Sequence, residues 1–349
     1  MLQKKKRVIG VVCFVLMICI TFGVYISLHK IDTSVAISAN HSKMLVIFTD
    51  QNLTTNYHLA NPKQKVNVLL YKQQMTDYPS ALWIEKKNIF LFTTKDANGD
   101  TQLFQLDLDT KKKTQLTNQF RYVDYLRLDQ NQQKVYMRVL LPNHRNFHLA
   151  TYDLNQHTTD VWNSSEKDRS MVYFDYNALQ NQIVTLTQSV KEDYEKVSRA
   201  NETQTPLEPS TKQINLITIH DRKSKQISTI SKFVHDLSFS PKGTKVLFTA
   251  SDAFTTDAKN TLYQLDIKSG QYTSLFADTT SFSKLNQAQY APDGKNIYFI
   301  ATPKPFKWIT DKGGRTVQVR AIYAYDIQTK KVSKEWFKED GYINNFIFL

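Results

Sequence analysis

Apolar and polar residues alternate with a period of two along most of the chain after residue 33, and the alternating stretches are short and rich in β-branched and aromatic residues. That pattern predicts β-strands. The stretches also recur as a unit. VHDLSFSPKGTKVLFTASD (234–252) followed by TLYQLDIKSGQYTSLF (261–276) matches LNQAQYAPDGKNIYFIATP (285–303) followed by AIYAYDIQTKKVSKEWF (321–337). Each copy holds an alternating strand, a tight turn, a strongly apolar strand, a loop, an aromatic strand ending in an Asp-Ile, and a polar turn into a fourth strand.

Weaker copies lie upstream at 81–94 with 102–117, at 123–140 with 147–162, and at 174–188 with 214–230. A degenerate sixth covers 34–50 with 57–71. Four-stranded units repeating every roughly 45–55 residues predict a β-propeller. The count is six blades, or seven if the N-terminal region is divided differently. Glycine is scarce, yet Gly99, Gly243, Gly270 and Gly294 all fall where hairpin turns need a positive φ. The last segment, INNFIFL (343–349), reads as a lone first strand. It is expected to pair with the N-terminal blade near residues 34–49 and so close the ring.

The turns Ser-Pro-Lys-Gly and Ala-Pro-Asp-Gly, with Leu-Tyr-Gln-Leu-Asp-Ile after the first, resemble the WD-repeat-like blades of TolB-type propellers. Similar blades form the propeller of prolyl-oligopeptidase-type enzymes. The resemblance covers essentially all of 34–349 and implies a fold rather than an activity. TolB proteins carry an α/β domain ahead of the propeller. This chain has an apolar run there instead, so TolB's partners do not carry over.

That run, Val8 to Leu28, contains 21 residues and no charge, and follows Lys4, Lys5, Lys6 and Arg7. At about 1.5 Å per residue a helix of this length spans a hydrocarbon core of about 30 Å. The basic cluster on its N-terminal side predicts a cytoplasmic N-terminus and an extracytoplasmic remainder. A cleaved signal peptide is the rival reading. Its apolar region is usually shorter and ends in small residues, whereas Ile26-Ser27-Leu28-His29-Lys30 is a poor cleavage site. The division expected is therefore a basic tip and signal anchor over 1–30 and an extracytoplasmic propeller over 31–349, in a single-pass protein of the cell membrane.

Cys13 and Cys19 both fall within the apolar run, preceded by Val12 and Ile18, which does not suit lipidation. The propeller thus has no cysteine, and disulfide and thiol chemistry are excluded from it. The anchor also changes the charge. The whole chain is +13, but residues 1–30 hold five basic residues and no acid, leaving 40 Lys and Arg against 32 Asp and Glu, a net +8. Outside the cytoplasm, with basic residues scattered among acids, this excludes nucleic acid as a partner. An anionic envelope polymer, lipid headgroups or an envelope protein fits better, and the plain alternative of equal weight is that the charge serves solubility.

Connection lengths locate the candidate site. Within a blade, the turns joining strands one and two, and three and four, lie on one face. The loops joining strands two and three lie on the other, with the links between blades. The first set is short. The second holds insertions at 189–213, 303–320, 251–260 and 141–146, which marks the binding face. The 303–320 loop contains Lys304, Lys307, Lys312, Arg315 and Arg320 against the single acid Asp311, with Phe306 and Trp308 among them. Cations interleaved with aromatics suit an anionic or sugar-containing ligand, or a partner's acidic patch. The bland alternative is a long hairpin, Gly313-Gly314 at its tip, whose Trp packs on a neighbouring blade. In 189–213, Val190, Tyr194 and Val197 have helical spacing and predict a short amphipathic helix.

No Gly-x-Ser-x-Gly, His-Glu-x-x-His, Gly-rich phosphate loop or sialidase-type Ser-x-Asp-x-Gly-x-Thr-Trp box occurs. No catalytic, metal or cofactor residue is therefore assigned. His144 and His148 make a poor metal signal, and His220-Asp221 and His235-Asp236 read as structural hydrogen-bonding pairs. The function expected is a non-catalytic envelope scaffold or sensor. The alternative is an enzyme on an envelope sugar or peptide, with its site at the channel mouth.

Overall fold

The computed structural model describes residues 43–349. The run 8–28 expected to cross a membrane, and the part of the degenerate copy over 34–42, lie outside the described residues. Among those described, no helix is long and apolar enough to cross a membrane.

Six antiparallel sheets follow one another along the chain, each four-stranded except that of blade 5, whose first strand is split in two. Strands one to four of each blade run outward from a central channel. Blade 2 begins at Ala81, blade 3 at Tyr122, blade 4 at Arg169, blade 5 at Phe233 and blade 6 at Phe282. Blade 1 is composite. Its second, third and fourth strands are Met44–Asp50, Thr54–Asn61 and Val66–Gln74, and its first strand is the C-terminal Gly341–Phe348. Met44 pairs with Phe348 and Asp50 with Gly341, antiparallel. The expected ring closure is present, with its register running over 44–50.

The core explains both the blade number and the apolar runs. Buried side chains form six clusters, each shared by two adjacent blades. Successive residues of a strand face opposite sides of the sheet. Met44, Val46 and Phe48 therefore pack against blade 6, and Leu45 and Ile47 against blade 2. Second strands read as continuous apolar runs, such as Met44-Leu-Val-Ile-Phe48, because both faces are buried. Fourth strands face solvent and return to alternation, as in Val66–Gln74. Six seams close the ring, so the seven-blade division fails.

Aromatic pairs bridge the seams, including Tyr57 with Phe90, centroids 5.0 Å apart, and Phe276 with Tyr325 at 4.5 Å. At the tight turns Gly243 and Gly294 have φ of +67° and +68°, in the left-handed region that glycine enters without cost.

The insertions divide in character. The segment 303–320 holds a two-stranded hairpin, Trp308–Thr310 with Thr316–Gln318, its tip at Gly313-Gly314 as expected. Trp308 is 55% exposed rather than packed on a blade. In 189–213 the predicted helix is present as α1, Val190–Thr203, capped by Ser189, whose hydroxyl accepts from the Glu192 N–H at 3.0 Å. Its apolar side is not buried: Tyr194 is 56% exposed and no residue of α1 is buried. Polar contacts hold it instead. Lys196 donates to the Pro209 carbonyl, and Glu192 accepts from the Thr211 N–H and hydroxyl.

Candidate ligand-binding site

First strands wall the channel, and nearly all of them are irregular there. The ladder slips around Asn344 in blade 1, Tyr125-Leu126 in blade 3, Val172 in blade 4 and Gln287-Ala288 in blade 6. In blade 5 the strand breaks at His235–Leu237, between Phe233–Val234 and Ser238–Phe239. Tyr125 and Gln287 take φ of +54° and +52° at these points. A bulge leaves one residue out of the ladder and re-aims its neighbours. Here it turns polar side chains toward the axis.

The result is a cavity of about 430 Å³ at the channel mouth, on the same face as the long second-to-third-strand loops. Blade 3 contributes Asp124, Tyr125, Arg127 and Arg138 to its wall, blade 4 Tyr173, and blade 5 His235 and Asp236. Tyr342, Asn344 and Asn345 of the closing strand, and Arg315 and Arg320 of the 303–320 loop, complete the rim.

Most charges in this wall are paired. Arg127 Nε donates to Asp175 Oδ1 at 2.5 Å. Arg138 clasps Asp124 through two bonds of 2.7 and 2.6 Å and also donates to the Val172 carbonyl. Such forked pairs are the strong form of the guanidinium–carboxylate contact. Asp236 is enclosed by donors. The Thr249 N–H lies at 2.8 Å, its hydroxyl at 2.6 Å and the Ala288 N–H at 3.1 Å. Burial nevertheless dominates and raises its pKa to about 6, against the lowering by those bonds. His235 contacts the Ser251 hydroxyl at 3.2 Å, and burial lowers its pKa.

The same groups stitch blades together. Asp175 of blade 4 takes Arg127 from blade 3 and the Phe239 N–H from blade 5. Asp236 joins blade 5 to blade 6 through Ala288. Gln287 and Gln289 donate to the Asn344 and Phe346 carbonyls, joining blade 6 to the closing strand. His235-Asp236 is thus a structural hydrogen-bonding pair, and one that also faces the channel.

The loop residues expected to act together are separated. Arg315 and Arg320 reach the central cavity. Arg315 Nε lies 3.1 Å from Asp311 Oδ2, and its Nη2 donates to the Tyr342 hydroxyl at 2.6 Å. Among the described residues Arg320 makes one side-chain hydrogen bond, to the Ile343 carbonyl at 3.4 Å. Burial lowers its pKa, Tyr342 opposes that shift, and the neighbouring Arg315 adds to it. Lys304, Phe306 and Trp308 instead line a second cavity, of about 940 Å³, between the hairpin and residues 256–259 and 278–284. Lys307 pairs with Glu339, and Lys312 is exposed at the hairpin tip, where its backbone N–H donates to the Gln51 carbonyl.

His144 and His148 do come together, ring nitrogens 3.2 Å apart. However, no group of three or more His, Cys, Asp or Glu able to hold a metal ion forms among the described residues. His220-Asp221 sits in an exposed turn, where Asp221 also pairs with Lys223 at 3.2 Å.

The fold and this channel define a six-bladed propeller of TolB-like architecture. TolB from Acinetobacter baumannii superposes with a TM-score of 0.57 at 10% identity, over 87% of this chain and 66% of that one. An oligogalacturonate lyase solved in complex with manganese superposes with a TM-score of 0.52 at 12% identity, over 84% of this chain and 72% of that one. No family model matches the chain. In sequence it is similar to the uncharacterised protein YdjN of Bacillus subtilis (strain 168), 29% identical over 311 residues, which are 88% of this chain and 87% of that protein.

Proposed function

We propose that this chain is a membrane-anchored, extracytoplasmic propeller that binds a ligand or an envelope partner at its channel mouth without transforming it. The observation that carries the reading is the state of the acids set into the wall of the cavity, as distinct from the exposed Asp77 at its rim. Asp124 and Asp175 are committed to Arg138 and Arg127, and Asp236 to three donors. A glycosidase or lyase needs carboxyl groups at liberty to exchange protons with substrate; these are spent on holding the wall in place. Anchoring rests on the 21-residue uncharged run behind four basic residues. Both TolB and the lyase lend their fold to the comparison and nothing more at these identities.

One observation favours the enzymatic alternative. Asp236 lines the cavity with its pKa raised to about 6, by burial, next to His235. Perturbed groups in a cleft are candidates for acid–base work.

The test uses the cysteine-free propeller and its two faces. Tyr78, 78% exposed, lies at the cavity, and Leu179, 70% exposed, in a short first-to-second-strand turn on the opposite face. Leu179→Cys should react with a membrane-impermeant maleimide in intact cells. A photo-cross-linking residue at 78, but not at 179, should capture envelope material. An unreactive Cys in intact cells refutes the extracytoplasmic placement. Cross-links from 179 alone refute the binding face, and substrate turnover by the purified full chain, lost in Asp236→Asn, establishes the enzyme instead.

A further inference from the structure

Four guanidiniums line the channel-mouth cavity, and the protein neutralises three of them. Arg127 pairs with Asp175 at 2.5 Å, Arg138 with Asp124 at 2.6 Å and Arg315 with Asp311 at 3.1 Å. Among the described residues no Asp or Glu oxygen lies within 4.0 Å of Arg320. Its one hydrogen bond, to the Ile343 carbonyl, is long at 3.4 Å. The Tyr342 phenol eases its charge and Arg315, a like charge, works against it. A partly buried cation with no counter-charge is unfavourable. A folded chain keeps one most readily where something else supplies the anion.

The chemistry of that anion follows from the surroundings. A guanidinium presents paired N–H groups in a plane, which match the two oxygens of a carboxylate or phosphate. Among the described residues Arg320 is the one guanidinium of the wall that no carboxylate reaches, so a single anionic group satisfies it. Asp77 and Asp236, which line the same cavity without a basic partner, disfavour a second. In the same cavity wall, Asn345 makes no side-chain hydrogen bond among the described residues, and Tyr78 offers an exposed phenol. An amide and a phenol suit hydroxyl groups rather than further charge. A cavity of about 430 Å³ is at the small end of ligand sites.

We propose that Arg320 anchors the single carboxylate or phosphate of a small, otherwise hydroxylated ligand, such as the terminal acidic unit of an anionic sugar polymer. This rests on the channel mouth being the ligand site.

The full chain in detergent is titrated with inorganic phosphate, glucuronate and glucose at constant ionic strength, with thermal unfolding as readout. One anion should raise the midpoint saturably, and which one does so separates a phosphate source from a carboxylated sugar. Glucose should do nothing. Arg320→Gln should weaken binding by roughly tenfold or more, the scale of a charge-assisted fork, and Lys312→Gln should leave it unchanged. Without anion, Arg320→Gln should unfold at the wild-type temperature or above, because it removes an unpaired charge. A merely structural arginine would give a lower one. Hydroxyl-radical footprinting then locates the bound anion. Wild-type affinity in Arg320→Gln with protection still at 75–80 and 342–345 overturns the Arg320 anchor but leaves the channel-mouth site standing. Protection elsewhere overturns both. No saturable response to either anion overturns the anchor.

Discussion

Replacing Phe346 by alanine tests the closure of the ring at its most loaded point. Phe346 lies on the closing strand, is fully buried, and packs in the seam between blades 6 and 1 with Met44, Val46, Ile300 and Ile343. Its ring also meets Phe348 edge-on at 5.9 Å. An aromatic side chain buries roughly 150–250 Å², and at about 25 cal/mol per Å² that stabilises the fold by about 4–6 kcal/mol. Alanine keeps one carbon of it, and the seam cannot collapse, because ladders on either side hold the two sheets. The expected loss is therefore about 3–5 kcal/mol. Against a total near 5–15 kcal/mol this is a large fraction. Urea unfolding of the full chain in detergent, followed by tryptophan fluorescence, measures it. The paired control is Leu349→Ala, one residue beyond the strand and 41% exposed, where the loss should stay below about 0.5 kcal/mol. A Phe346→Ala loss under about 1 kcal/mol, or equal losses at the two positions, would show that the terminal strand does not bear the closure.

Two further predictions concern the wall of the cavity. Asp236 has its pKa raised by burial from 3.8 to about 6, so between pH 4 and 6 the folded chain holds a proton that the unfolded chain has lost. Stability from this group is present at low pH and falls as pH rises through that window, by about 3 kcal/mol at about 1.4 kcal/mol per unit. His58 acts oppositely, because burial, and then Lys338, lower its pKa to about 4 and acidification destabilises it over the same range. The measurement is consequently the difference between wild type and Asp236→Asn, which should move against wild type from pH 4 to 6 and then level; a flat difference refutes it. Separately, Arg138→Met should cost about 3–5 kcal/mol by stranding Asp124, 3% exposed, without its partner. The double variant with Asp124→Leu should return to within about 1 kcal/mol of wild type in urea unfolding, and additive losses would mean the pair is not coupled.

The extent to which this molecule is legible in its sequence differs sharply between fold and site. Strand order, turn positions and the orphan terminal strand are local matters. The alternation of 34–349, the glycines at tight turns and the apolar INNFIFL each report which backbone groups need a neighbour and which side chains need burial. The helix over 190–203 was readable from spacing. Its exposed apolar side was not, because spacing says nothing about whether a neighbour is there to cover it.

The site was less legible for a specific reason. The 303–320 loop drew attention as one basic and aromatic patch, and its hairpin then divides it. Phe306 and Trp308, on the way into the hairpin, line the cavity beside residues 256–259 and 278–284, while Arg315, after its tip, and Arg320, beyond its second strand, reach the channel. The other half of the site, Arg127 and Arg138, lies nearly two hundred residues away in sequence. No motif marks it, since the residues that aim it are bulges, and a bulge is a mismatch between two strands rather than a property of either.

By itself, then, the amino-acid sequence determined the repeat, the propeller and the face that carries the insertions, because these follow from period-two burial and turn chemistry acting over a few residues, whereas the six seams of the structure settled the blade number. Tertiary structure alone decided which guanidiniums of the wall are neutralised and which one is left over. Pairing depends on distances across blades, and Arg320 is distinguished from its three neighbours only by the absence of a carboxylate within reach.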